Sequence, residues 1–218
     1  AILDGSTLTI TGVGEVTVTA SQAGNETFNP ATLAQSFTVA PATLTVTAQG
    51  EIITYGDDLP EFTYELGGFV NGEEEGVLTS IPTISSNASV ESDAGTYEII
   101  ASGGEAANYT FTYVSATLTI EKADQAIALE GIADKLVTDA PFEIIGIASS
   151  DLPLTYELTG PASLSGTTIT LSGSTGTVVI TASQAGNQNY HAAITTSLSF
   201  SVTDPSKAMQ TITFEAIP

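Results

Sequence analysis

The sequence predicts an all-β protein, arranged as tandem small β-sandwich or β-grasp-like domains in an elongated array, and three observations carry that expectation. Runs such as "LTVTA" (44–48), "TYEIIAS" (96–102), "YTFTYVSATLTI" (109–120) and "TVVITAS" (177–183) alternate Val, Ile, Thr and Tyr with polar residues, the period-two pattern of half-buried strands. Clusters of Gly, Asn, Ser and Asp interrupt these runs about every eight to twelve residues, the rhythm of sandwich and barrel turns. The stretch "TASQAGN" at residues 19–25 returns letter for letter at 181–187.

That repeat reaches well beyond its identical core. "LDGSTLTITGVGEVTVTASQAGNETFNPA" aligns with "LSGTTITLSGSTGTVVITASQAGNQNYHAA", and the copies run on into "QSFTV" and "LSFSV". A binding site alone would not carry its flanking strand pattern with it, so the repeating unit is a domain. Residues 1–40 read as the C-terminal half of one such domain and 123–203 as a complete copy. The last residues, "QTITFEAIP" (210–218), resemble "QAIALEGIA" (125–133), so 204–218 reads as a linker and the first strand of a further copy. The chain is then expected to be a window on a longer array. Within each copy, Val16, Val18 and Ala20, like Val178, Ile180 and Ala182, are expected to face inward. Gly24 and Gly186 would permit a turn at positive φ, and Phe28 or Tyr190 would return over the end of the core.

Residues 41–122 form a different unit. Its one helix expectation is "NGEEEGVLTS" (71–80), with Asn71 as cap and Glu73, Glu74 and Glu75 in the first turn. "DAGTY" (93–97) suggests a tyrosine corner, in which the Tyr97 hydroxyl bonds back to the chain near a strand start. The corner favours a sandwich and the helix favours a β-grasp arrangement, the latter slightly preferred. The ordered stretches "LTVTA", "TYGDDLPEFTY", "GFVNGEEEGVL", "GTYEIIASGGEAANYTFTYV" and "ATLTIEKA" resemble the bacterial MBG domain of YGX type. The flanking copies, with "TVTASQAGN", an aromatic three residues later and the opening "QTITFE", resemble bacterial Ig-like repeats. These resemblances imply extracellular stalk modules of large surface adhesins, secreted to the bacterial cell surface, whose partners are neighbouring repeats of the same chain.

Composition narrows the function classes. With 25 acidic residues against 3 basic ones the net charge is −22, which repels nucleic acid and anionic membrane surfaces. No apolar run reaches the roughly 18 residues of a membrane-spanning helix, and no cysteine is present for disulfides or thiolate sites. His191 stands where the other copy has Asn29, so it reads as an interchangeable loop residue, and no nucleophile and base stand together. The protein is expected not to be an enzyme, with no catalytic or cofactor-binding residue. Calcium is the one cofactor considered, with Asp57, Asp58, Asp93, Asp124 and Asp204 as candidate ligands beside Glu73, Glu74, Glu75 and Glu121, although no "DxDxDG" loop occurs. An isopeptide crosslink would have to use Lys122, Lys135 or Lys207. The sequons at Asn25, Asn87 and Asn108 read as Asn-rich turns.

The junctions "VAPAT" (39–43), "EKADQ" (121–125) and "TDPSK" (203–207) are short, which restricts the angles between domains. The expected function is a non-enzymatic stalk or spacer segment. Two alternatives stand beside it. One is an adhesive module for glycan or protein, with Phe69, Tyr109 and Tyr113 as the aromatics to look for. The other is a filament subunit that associates laterally or end to end, in which the strand at 208–218 completes a neighbour's open sheet.

Overall fold

The structure is a computed structural model and describes residues 1–207. The strand expected at 208–218 lies outside the described residues. The chain divides into two compact units, Ala1–Ile120 and Glu121–Pro218.

The first unit opens with a hairpin of β1 (Ile2–Asp4) and β2 (Thr7–Thr9), followed by a long antiparallel pair, β3 (Gly14–Gln22) and β4 (Ala31–Val39). Two residues later the chain enters β5 (Ala42–Ala48), then β6 (Glu51–Thr54), β7 (Tyr64–Gly67), β8 (Leu78–Ser86), β9 (Gly95–Ala106), β10 (Tyr109–Val114) and β11 (Ala116–Glu121). These seven strands form two sheets, in the orders β10-β5-β7 and β6-β11-β9-β8. The alternation in β5 buries Leu44, Val46 and Ala48, which belong to one sheet. Ile99, Leu118 and Ile120 of the other sheet form a buried cluster with Ala48. Two sheets with a shared core make a sandwich, and the β-grasp arrangement gives way to it.

The helix expected over 71–80 shrinks to a single 3-10 turn, Glu75–Val77. Gly72 and Gly76 carry the largest helix penalty short of proline, and Leu78–Ser80 are drawn into β8, whose pairing with β9 supplies their hydrogen bonds. Asn71 does not cap. It sits at φ 56°, and the residue before the turn, Glu74, makes no side-chain cap bond. The tyrosine corner is present: Tyr97 donates its hydroxyl to the Asp93 carbonyl at 2.8 Å.

The second unit contains β12 (Ile127–Leu129), β13 (Lys135–Leu136), β14 (Phe142–Glu143), β15 (Gly146–Ala148), β16 (Thr155–Thr159), β17 (Ala162–Ser165), β18 (Thr168–Leu171), β19 (Gly176–Ser183) and β20 (Thr196–Thr203). One sheet runs β13-β20-β19-β16. Facing it are β14-β18-β17 and the pair β12-β15. In strand-letter terms these are a C-F-G sheet and an A-B-E-D sheet, the immunoglobulin arrangement, with β13 added in parallel to the last strand. Val178, Ile180 and Ala182 are fully buried, and Phe200 and Val202 are nearly so. Phe142 meets Phe200 edge to face at 5.7 Å. Full burial of a Val, Ile or Phe side chain contributes about 1.5–3 kcal/mol relative to exposure.

The two copies of the repeat keep one register. Val16 faces Phe37 across β3 and β4, as Val178 faces Phe200 across β19 and β20. Their surroundings differ. Phe37 is 42% exposed and Val18 36%, and Ala20 is also exposed. Val178, Ile180 and Ala182 face inward as expected, whereas Val18 and Ala20, in the segment read as the C-terminal half of a domain, are exposed. Phe28 likewise stands 69% exposed rather than closing a core.

Candidate functional site

Two joints concentrate the polar geometry of the described residues. The first lies within the first unit, where the β10 side of the sandwich meets the β2–β3 turn. Asn108 uses both of its oxygens there: its carbonyl accepts the Ala42 N–H at 3.0 Å, and its Oδ1 accepts the Val13 N–H at 3.2 Å. Gly12 sits so close that an added Cβ would lie 3.3 Å from Asn108 Oδ1. A small cavity of about 60 Å³ remains beside this contact, lined by Ile10, Val39, Ala40 and Val70 among others.

The neighbouring Tyr109 is buried. Its hydroxyl donates to the Glu73 carboxylate at 2.5 Å and accepts the Val70 N–H at 3.1 Å, while Phe69 meets its ring edge to face at 6.0 Å. The hydrogen bond to Glu73, followed by desolvation, pushes the Tyr109 hydroxyl above its ordinary value. The sequence places Glu73 in a helix start and offers Phe69 and Tyr109 as aromatics to look for under the adhesive alternative. They are instead one structural cluster. Tyr113, the third aromatic, is 43% exposed and donates its hydroxyl to the Gly103 carbonyl.

The second joint lies in the second unit, where the segment entering the complete copy is pinned onto the SQAGN loop. Lys122 Nζ donates to the Asn187 carbonyl at 2.7 Å. Ala123 N–H donates to the Asn189 carbonyl at 2.9 Å, and His191 N–H donates back to the Ala123 carbonyl at 2.9 Å. Gln125 Nε2 donates to Gln184 Oε1 at 2.6 Å and to the His191 carbonyl at 2.7 Å, and Gln125 Oε1 accepts from the Ser150 hydroxyl. Gln184 is buried, and burial of an amide costs little only when its polar atoms are paired. His191 serves this joint through its main chain, which is why Asn29 can stand at the matching place. The linker was legible in the sequence, but the Lys122 and Gln125 contacts were not, because both partners lie some sixty residues away.

The loop itself has the same build in both copies. Asn25 Oδ1 accepts the N–H groups of Thr27 and Phe28 at 2.9 Å each, and Asn187 Oδ1 accepts those of Asn189 and Tyr190 at 2.8 and 2.9 Å. Gln22 and Gln184 each accept the N–H of the glycine two residues on. Such Asx turns fix a loop locally.

The calcium candidates are dispersed. Asp57 closes its own turn, accepting the Thr54 N–H at 2.9 Å. Asp93 offers its carbonyl to Tyr97. Asp58, Asp124 and Glu121 are exposed. Asp204 accepts from the N–H and hydroxyl of Ser206 and faces Lys207 at 3.9 Å, and these Ser206 bonds hold its carboxyl below the ordinary value. Among the described residues, no three His, Cys, Asp or Glu side chains gather as a metal site would require. Lys135, an isopeptide candidate, lies over the Phe142 ring at 4.6 Å.

These elements define a class: small all-β sandwiches, with one stretch of sequence occurring both near the start of the chain and in the second unit. Residues 44–119 match the MBG domain (YGX type) family. No curated protein sequence matches the chain. Among solved structures it is similar to Drosophila N-cadherin EC1-4, at 10% identity and a TM-score of 0.29, over 86% of this chain and 57% of that one. The chain thus spans little more than half of that cadherin structure. It is also similar to a chimeric titin Z1Z2 functionalized with a KLER exogenous peptide from decorin, at 11% identity and a TM-score of 0.24, over 77% of this chain and 95% of that one. No helix among the described residues is long and apolar enough to cross a membrane.

Proposed function

We propose that this chain is a non-enzymatic spacer segment of a large bacterial surface adhesin, secreted to the cell exterior, where it holds a distal binding region away from the cell. Its modules are residues 1–40, 41–122 and 123–203, followed by a linker and the start of another module. The observation that carries this reading is how the connections are held. In the first unit only two residues separate β4 from β5, one of them Pro41 with its fixed φ, and Asn108 bonds to chain on both sides of that connection. In the second unit the entering residues Lys122, Ala123 and Gln125 are tied down as soon as they begin. Short connections whose residues are hydrogen-bonded from their first positions leave few free residues, and a spacer needs stiffness more than any chemical group. The MBG match of the middle segment supports the same reading.

Small-angle scattering tests it. A compact particle of this length has a radius of gyration of about 17 Å, whereas modules set end to end exceed roughly 28 Å. The spacer reading expects the larger value, and a result near the smaller one would overturn it.

A further inference from the structure

In the second unit the first strand changes sheets part-way along its course. β12 pairs with β15 in the register Ile127–Ala148, Ala128–Ile147 and Leu129–Gly146, and the Glu130 N–H extends that ladder to the Ile145 carbonyl at 2.9 Å. Continued by two residues on each strand, the same register would set Ile132 against Glu143 as the next pair to exchange main-chain hydrogen bonds. That pair does not form. The chain turns away instead and joins β20 in the other sheet as β13.

The departure leaves an open edge on β14. On its other side β14 pairs with β18 as Phe142–Ile169 and Glu143–Thr168, and the Ile144 N–H donates to the Thr167 carbonyl at 2.8 Å. Alternation along an antiparallel strand then turns the main-chain N–H and C=O of Glu143 away from β18, toward the place the first strand has left. An unpaired donor and acceptor on a strand edge are a template for another chain.

A cavity of about 210 Å³ lies at this gap, lined by Glu130, Gly131, Ile132, Lys135, Phe142 and Glu143 among others. The Lys135 ammonium stands over the Phe142 ring, 4.6 Å from its centre. Of the three basic residues on a chain of net charge −22, Lys122 donates to the Asn187 carbonyl and Lys207 faces Asp204. Lys135 makes no ion pair among the described residues. An ammonium without an oxygen partner, an apolar wall and a free main-chain edge thus meet in one place.

We propose that this gap is a binding site for the C-terminal end of an extended peptide. The Glu143 N–H donates to a peptide carbonyl and the Glu143 carbonyl accepts a peptide N–H, so the peptide takes up the ladder where the first strand abandons it. The terminal carboxylate bonds to Lys135. The cavity is smaller than the roughly 300–1,000 Å³ of pockets for drug-sized ligands, so it holds a residue or two and not an oligosaccharide. The net charge and Glu130 in the lining disfavour a polyanion, whereas a chain end offers one negative charge and a main-chain donor in the same residue. The site is built from the second unit alone and stands whether or not the modules serve as a spacer.

Amide NMR of the full 218-residue chain, titrated with N-acetyl-Thr-Val-Thr-Val carrying a free terminal carboxylate, tests this. Saturable shifts are expected at the amides of Glu143 and of residues 131–135. The same peptide with a C-terminal amide is expected to bind about tenfold more weakly, the scale of one hydrogen bond to a charged group. Lys135→Met keeps an unbranched side chain over Phe142, and it is expected to bring the carboxylate peptide down to the level of the amide peptide while leaving the latter unchanged. Gly131 lines the cavity and its missing Cβ faces open space, so Gly131→Leu is expected to block both peptides. The proposal is overturned by an absence of saturable shifts, by shifts centred elsewhere, or by equal affinity for the two peptides. A Lys135→Met chain that still tells them apart, or a Gly131→Leu chain that still binds, overturns it as well.

Discussion

Gly24 and Gly186 show how one residue sets a loop. Both sit in the left-handed region, and a Cβ at Gly186 would lie 2.4 Å from the Tyr190 carbonyl oxygen. An L-residue costs roughly 1–2 kcal/mol there before the clash is counted. Gly186→Ala is therefore expected to lower the unfolding midpoint of its unit by about 5–15 °C. Gly131→Ala, at a position with open space around the missing Cβ and no positive φ, should leave the midpoint within a few degrees or raise it slightly. Calorimetry on the two variants decides, and an unchanged midpoint for Gly186→Ala would sink the argument. This turn was legible in the letters Gln-Ala-Gly-Asn, as was the Tyr97 corner, because both depend on residues within four positions of one another. The Tyr109–Glu73 pair was not. Its members are 36 positions apart, and three consecutive glutamates after an Asn look locally like a helix start.

At the scale of elements, the pairing of β14 with β18 carries a pH dependence. The hydroxyls of Thr167 and Thr168 both donate to the Glu143 carboxylate and hold it below its ordinary value of 4.5. A carboxylate whose folded value is depressed stabilises the fold above its unfolded value, and that contribution disappears as pH falls through the folded one. The second unit is therefore expected to lose stability as pH drops below 4.5, and Glu143→Gln should flatten that part of the curve while costing stability at neutral pH. Urea titrations in steps from neutral to acid pH check this, and a parallel loss in both proteins would remove Glu143 as the cause. Element types followed from alternation, since Leu44, Val46 and Ala48 are all buried along β5 as a period of two requires. What alternation could not supply was coverage. Val18 and Ile180 occupy equivalent places in equivalent strands, yet one is 36% exposed and the other fully buried. Ile180 packs in a cluster with Leu129, Ile132, Phe142 and Tyr156, and the alternation within a strand does not report such distant partners.

For the whole molecule, the division into Ala1–Ile120 and Glu121–Pro218 has a thermodynamic consequence. The buried cluster of Ile99, Leu118 and Ile120 belongs to the first unit, and that of Ile169, Val178 and Ile180 to the second. Each core is made from the residues of its own unit, so each should unfold as its own cooperative step. Calorimetry on the intact chain is expected to resolve two transitions. Leu118→Ala removes a fully buried side chain and should cost about 2–5 kcal/mol in the first unit alone. Ile180→Ala should do the same in the second. At about 4–8 °C per kcal/mol for domains of this size, either substitution moves its own transition by about eight degrees or more, and the other transition stays within about two degrees of its original midpoint if distant sites act independently. A single transition displaced equally by both substitutions would show that the units melt together, and the modular basis of the spacer reading would go with it.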